Sequence, residues 1–270
     1  MNTLPPMLAL EREGPVARVW LNRPDTRNAF NAELIHALDR CFAQLATEPE
    51  LRVIVLGGRG KVFCAGADLG WMRDMAVQSW DANHRDAQAL AAMLWTIWSC
   101  PVPIIGRIHG DCFAGGLGLA AVCDVRVAAE GAQFCLSEAR LGLLPATIAP
   151  YVVRAMGQSA AQRYMITAER FSAAQAARCG LVHEVVAPEQ LDTHVQALIE
   201  GLRANGPAAV RACKQLVRDV AQAPLSPELR ADTARRIADI RASAEGREGL
   251  HAFLDKRPPA WTTDPCSRKS

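Results

Sequence analysis

Hydrophobic and polar residues first alternate in VARVWLN (Val16–Asn22), a period-two pattern that predicts a strand. NRPDTRNAFN follows, and its Asn22, Pro24 and Asp25 mark a turn. AELIHALDRCFAQLA then sets Leu34, Ile35, Leu38, Phe42 and Leu45 on one helical stripe, with Asn31 as its N-cap. RVIVLGG (Arg52–Gly58) reads as a buried, β-branched strand.

RGKVFCAGADLGWM (Arg59–Met72) runs into a Gly-Ala-Asp turn, and Trp71 to Ser99 has a helical composition. VPIIGRIHG (Val102–Gly110) predicts another buried strand, GGLGLAAVCD a helix after its glycines, and VRVAAE (Val125–Glu130) a strand. AQFCLSEARLGLLP gives a short extended piece and a turn, and IAPYVVRAMGQSAAQRYMIT two short helices parted at Gly157. SAAQAARCG predicts a helix closed by Gly180 ahead of the strand LVHEVV. Beyond Pro188 the pattern is helical only, with Ser226 and Pro227 at the N-cap and first position of one helix. The order reads as α/β with an all-helical C-terminal extension, divided between residues 1–195 and 196–270.

Composition narrows the classes. In 270 residues, 50% are hydrophobic and 21% charged, an ordinary globular balance. A net charge of +2 gives no electrostatic case for a nucleic-acid partner. Nine cysteines, with no C-x-x-C pair, fit a reduced, cytoplasmic protein that uses cysteine as a small apolar residue. The start, MNTLPPMLALEREG, lacks the features of a signal peptide, and no apolar run is long enough to predict a membrane span.

Two glycine-bearing turns could carry chemistry: CAGADL (Cys64–Leu69) and AGGLGL (Ala114–Leu119). Glycine lets a backbone approach a ligand closely, and amides entering a helix have no internal acceptor. Two such turns converging would polarise a carbonyl with backbone N–H groups alone. Neither matches a dinucleotide or phosphate loop, and glycine content taken singly favours tight packing.

Taken jointly, NRPDTRNAFN, FCAGADL, HGDCFAGGLGLAAVCDVRVAAEGAQFCLSEARLGLLP, ERFSAAQAARCGLVHEVV and AFLDKRPPAW resemble the crotonase (enoyl-CoA hydratase/isomerase) superfamily. The resemblance implies a spiral of repeated ββα units and acyl-CoA thioester substrates. It also implies a helical C-terminal region that builds a homotrimer or dimer of trimers. No metal or redox cofactor is implied, since coenzyme A is part of the substrate. The thioester enolate would be held by the amides of Ala67 and Gly115, with Ala114 standing where many relatives have a third glycine. Arg27, Ala29 and the Cys64–Leu69 backbone, including Ala65, Gly66, Asp68 and Leu69, lie where relatives hold coenzyme A. Phe253 and Lys256 match a stretch that closes over a neighbouring subunit's coenzyme A.

Of the two glutamates common in hydratases of this family, one is kept as Glu138 and the other is replaced by Gly118. Ala146, Thr147 and Ile148 also replace a glycine-rich turn. These departures resemble a branch of bacterial methylglutaconyl-CoA and isohexenylglutaconyl-CoA hydratases. The function so implied is hydration of 3-methylglutaconyl-CoA, in leucine breakdown, or of a similar branched or carboxylated 2-enoyl-CoA. Glu138 would serve as base and then acid. The alternatives are a Δ3,Δ2-enoyl-CoA isomerase and a non-catalytic CoA- or RNA-binding relative.

Arg140 and Arg154 are candidate cations for a substrate carboxylate, with structural ion pairs the favoured role. His109 reads as a satisfied histidine at a strand end, and Asp68 as a turn cap as readily as a ligand contact. Asp111 and Cys112 are the nearest polar groups to the missing acid. Among Trp71, Trp80, Trp95 and Trp98, core packing is expected for most.

Overall fold

A computed structural model describes residues 6–262; Cys266 and Met1–Pro5 lie outside the described residues. The chain forms two compact units that divide after Gln196, inside a helix. The first opens with β1 (Leu8–Glu13), β2 (Val16–Leu21), α1 (Ala32–Ala46) and β3 (Val53–Gly58). Next come α2 (Leu69–Val77), α3 (Trp80–Ser99), β4 (Ile104–Ile108), β5 (Cys112–Phe113) and α4 (Gly115–Ala121). β6 (Val125–Ala129), β7 (Gln133–Cys135), α5 (Ala149–Thr167), β8 (Phe171–Ser172), α6 (Ala173–Arg178) and β9 (Glu184–Val186) follow. The dividing helix is α7 (Leu191–Ala204), and the second unit continues with α8 (Pro207–Val220), α9 (Pro227–Ala242) and α10 (Ala244–Leu254).

Six strands make the main sheet in the order β1-β2-β3-β4-β6-β9, parallel except for the β1–β2 hairpin. β1 is an element the sequence pattern did not predict. It pairs in register from Leu8–Leu21 to Glu13–Val16, and Gly14, at φ 53, makes the turn. β5, β7 and β8 form a second, small sheet. α1 presents Leu34, Ile35, Leu38, Phe42 and Leu45 to the core, and the Asn31 side chain accepts from the Leu34 amide as its N-cap.

The long helical stretch from Trp71 is two helices, because Gln78 is extended and the Ser79 hydroxyl caps a fresh start at Ala82. Core packing, expected for most of the four tryptophans, holds for only Trp71 and Trp98: Trp80 and Trp95 are 73% and 59% exposed. Trp80 begins α3 and stacks on His84, while Trp95 leans on Trp98, which packs against the core. Gly157, at φ 77, breaks α5 where two helices were expected. In the second unit Ser226 caps α9 with Pro227 at its start, and Glu245 accepts from the amides of Ala208 and Ala209 at the head of α8. Among the described residues no helix is long and apolar enough to cross a membrane.

Candidate active site

The first glycine turn is built between two strand ends. Cys64 bridges Cys112, and Phe30 bridges Ala67 in parallel fashion. In the second bridge Phe30 donates to the Gly66 carbonyl and accepts from the Asp68 amide, at 2.6 and 2.8 Å. The bonded groups therefore flank Ala67, whose own N–H points away from the bridge. Asp68 caps α2 by accepting from the amides of Gly70 and Trp71, and pairs with Arg23 at 3.1 Å. Burial raises the Asp68 carboxyl, but those three partners outweigh it and hold it below its ordinary value. Asp68 thus serves as the turn cap.

The second turn begins with Ala114, whose amide donates to Cys135. Ala114 takes φ 48 and ψ −123, a conformation that favours glycine. Gly115 is the first residue of α4, so its N–H has no acceptor within the helix. The two turns touch. A Cβ on Gly66 would fall 2.8 Å from Ala114 Cβ, and one on Gly116 2.6 Å from the Cys64 carbonyl oxygen. Only glycine fits at these two points, and both turns keep a backbone N–H free of secondary-structure bonds.

Glu138 opens a 3-10 turn, Glu138–Leu141, three residues beyond the Cys135 carbonyl that anchors Ala114. Its Oε2 is buried with no hydrogen-bond partner, and burial pushes its carboxyl above the ordinary glutamate value. A desolvated carboxyl of this kind takes up a proton more readily than an ordinary glutamate, as a group that accepts and returns one must.

At Gly118, where the second glutamate is absent, the space is filled. A Cβ there would fall 2.7 Å from Ile148 Cβ, and nearer still to its Cγ2. Ile148 is 2% exposed. The two sequence departures are one packing solution, which the sequence reading did not connect. Asp111 and Cys112 do not replace the missing acid. Asp111 accepts from the amides of Phe63 and Gln133 through its carbonyl and carboxylate oxygens respectively, and Cys112 is buried with its thiol pushed far up. Burial likewise pushes the Cys64 thiol up to about 12.

Asn28 is a second residue that sequence reasoning missed. Fully buried, it accepts from the Arg23 amide and donates to the carbonyls of Arg59 and Val62, fixing the first turn to the segment after β3. Its neighbours Arg27 and Ala29 are placed by this anchor. Arg27 is exposed in a left-handed conformation, and its carbonyl accepts from Ala65 at 3.0 Å. Ala29 is buried, while Leu69 is exposed at the start of α2. In the second unit, Phe253 is 81% exposed near the end of α10, and Lys256 follows with φ 54.

His109 donates to the Gly60 carbonyl through Nε2, but its buried Nδ1 has no partner, so it is only half satisfied. Arg154 bonds the Pro150 carbonyl. Arg140, expected in an ion pair, makes none among the described residues. Two open clefts of about 680 and 500 Å³ lie elsewhere, one beside Arg163 and Arg178, the other beside Trp20 and His109. Neither is lined by Ala67, Gly115 or Glu138.

Residues 11–264 match the enoyl-CoA hydratase/isomerase family. The chain belongs to that family. Its fold is the crotonase fold, shared at 40% identity and TM-score 0.91 with an enoyl-CoA hydratase from Shewanella pealeana, over 94% of this chain and 96% of that one. Pseudomonas aeruginosa AtuE aligns at 37% identity and TM-score 0.92, covering 95% of this chain and all of the other. A putative enoyl-CoA hydratase of Thermus thermophilus is 32% identical over 94% of this chain and 100% of its own length.

Proposed function

We propose that the protein is an enoyl-CoA hydratase that adds water to a branched or carboxylated 2-enoyl-CoA, 3-methylglutaconyl-CoA being the lead candidate. The observation that carries this reading is the buried, unpartnered Glu138 oxygen, in a turn bonded through Cys135 to the two-glycine-turn platform. The amides of Ala67 and Gly115 would hold the thioester oxygen as it gains charge. Glu138 would take a proton from water as its oxygen bonds the β-carbon. The resulting carboxylic acid would return that proton to the α-carbon as the enolate collapses, restoring both carboxylate and thioester. Arg27, Ala29, Ala65, Gly66, Asp68, Leu69 and Lys256 would contact the coenzyme A portion, and residues 196–270 would mediate trimer assembly in the cytoplasm.

The filled space at Gly118 supports a second reading. One carboxylate suffices to move a double bond, by removing a proton at one carbon and returning it at another, as a Δ3,Δ2-enoyl-CoA isomerase does. A panel of 2-enoyl and 3-enoyl thioesters, with and without a distal carboxylate, tests both readings. Hydration lowers the absorbance of the conjugated 2-enoyl thioester, whereas isomerisation of a 3-enoyl thioester raises it. Acyl-CoA binding without turnover across the panel would overturn both.

A further inference from the structure

Two cations beside the Glu138 turn lack counter-charges. Arg140 lies in the same 3-10 turn as Glu138, and Arg170 leads into β8. Among the described residues neither forms an ion pair nor donates a side-chain hydrogen bond. Glu169, next to Arg170 in sequence, is engaged instead by Arg163 through both oxygens.

The small sheet explains where Arg170 points. Phe113 pairs with Cys135, and Phe134 with Phe171, so Arg170 falls opposite Cys135. Side chains alternate across a strand. Cys112, Phe134 and Phe171 therefore face the core, while Phe113, Cys135 and Arg170 share the other face. The Arg170 guanidinium carbon sits 5.2 Å from the centre of the Phe113 ring. Burial raises the Cys135 thiol, Arg140 and Arg170 pull it down, and Glu138 pushes it up. Phe113 continues directly into Ala114 and Gly115. Arg170 thus stands beside the residue that leads into the donor turn, and Arg140 lies in the turn of the acid.

A guanidinium stacked on a ring, with its donors unused, is preorganised to take a carboxylate. We propose that Arg140 and Arg170 form the receptor for the distal carboxylate of a dicarboxylic acyl thioester, and so determine specificity. This proposal rests on the acyl-CoA reading above and deepens it.

The test is calorimetric titration of wild type, R140A, R170A, R170K and the double alanine variant with glutaryl-CoA and pentanoyl-CoA. These thioesters differ in the distal carboxylate and need no turnover. Wild type should prefer glutaryl-CoA by about tenfold or more, as a charge-assisted contact predicts. R140A/R170A should bring the two affinities close to parity, and R170K should keep part of the preference. The proposal is overturned if wild type shows no preference, if the double variant keeps it, or if both affinities fall equally. Failed hydration with intact carboxylate preference would instead count against the hydratase reading alone.

Discussion

Ile148 occupies the space that a side chain at Gly118 would need, with its Cβ 2.7 Å from the position of a Cβ on that glycine. G118A should therefore destabilise the protein by about 1–3 kcal/mol, the usual cost of overpacking a filled core. Combining it with I148A should recover part of that loss, a non-additivity that a double-mutant cycle in urea would measure. Equal and additive losses would show that the two positions are not coupled. For the same reason, G118E alone should not create a working second acid.

Glu138 should be indispensable. E138Q is expected to lower kcat by roughly 100-fold or more, while acyl-CoA binding persists. Rate assays paired with calorimetry separate the two effects. Near-wild-type hydration by E138Q would refute the single-carboxylate mechanism.

The raised Glu138 carboxyl also fixes a pH dependence. As the base it must be ionised, so kcat/KM should fall on the acid side at a pH above that of an ordinary glutamate. In stability the sign is opposite. A folded-state value above the unfolded one favours the protonated form, so its contribution is full below the unfolded value and lost as pH rises through the folded one. E138Q should accordingly melt higher than wild type at pH 7, with the gap closing toward pH 4. A gap independent of pH would contradict this.

Ala114 holds a glycine-like backbone conformation at φ 48. A114G should relieve it and raise stability by about 1 kcal/mol, while A114V should lower stability by more than that. Denaturant midpoints provide the measurement, and a destabilised A114G would show that the Cβ contact with the Gly66 turn outweighs the strain.

Asn28 joins the first turn to the segment after β3 through three hydrogen bonds of 2.8–2.9 Å. N28A should cost about 2 kcal/mol or more, because it strands buried backbone groups. Coenzyme A affinity should weaken with it, since Arg27 and Ala29 lose their anchor; calorimetry with free coenzyme A reads this directly.

Local pattern made much of this fold legible. The stripe from Leu34 fixes its helix because it buries one face, while the run at Val16 is legible from its apolar, β-branched residues, β2 being covered on both faces. β1 escaped notice because its second half, Glu11–Glu13, is polar and its stability comes from pairing with β2. The glycine turns were legible as a motif, but their mutual contact depends on Gly66 and Ala114 meeting across a bridge between distant strands. Likewise the Gly118 substitution was visible, yet its partner Ile148 was not, because the pairing exists only where α4 meets α5. Exposure of Trp80 and Trp95 escaped for a related reason: composition cannot say which side of a helix faces a neighbour.

The platform formed by the two glycine turns offers main-chain groups rather than side chains to a ligand. Main-chain donors survive most point mutations, provided the backbone path is kept. Side chains around such a platform can therefore change without dismantling the main-chain path. The Gly118–Ile148 contact shows that independence in packing: hydrocarbon fills the space beside α4 while the Gly66 and Ala114 turns keep their own contact.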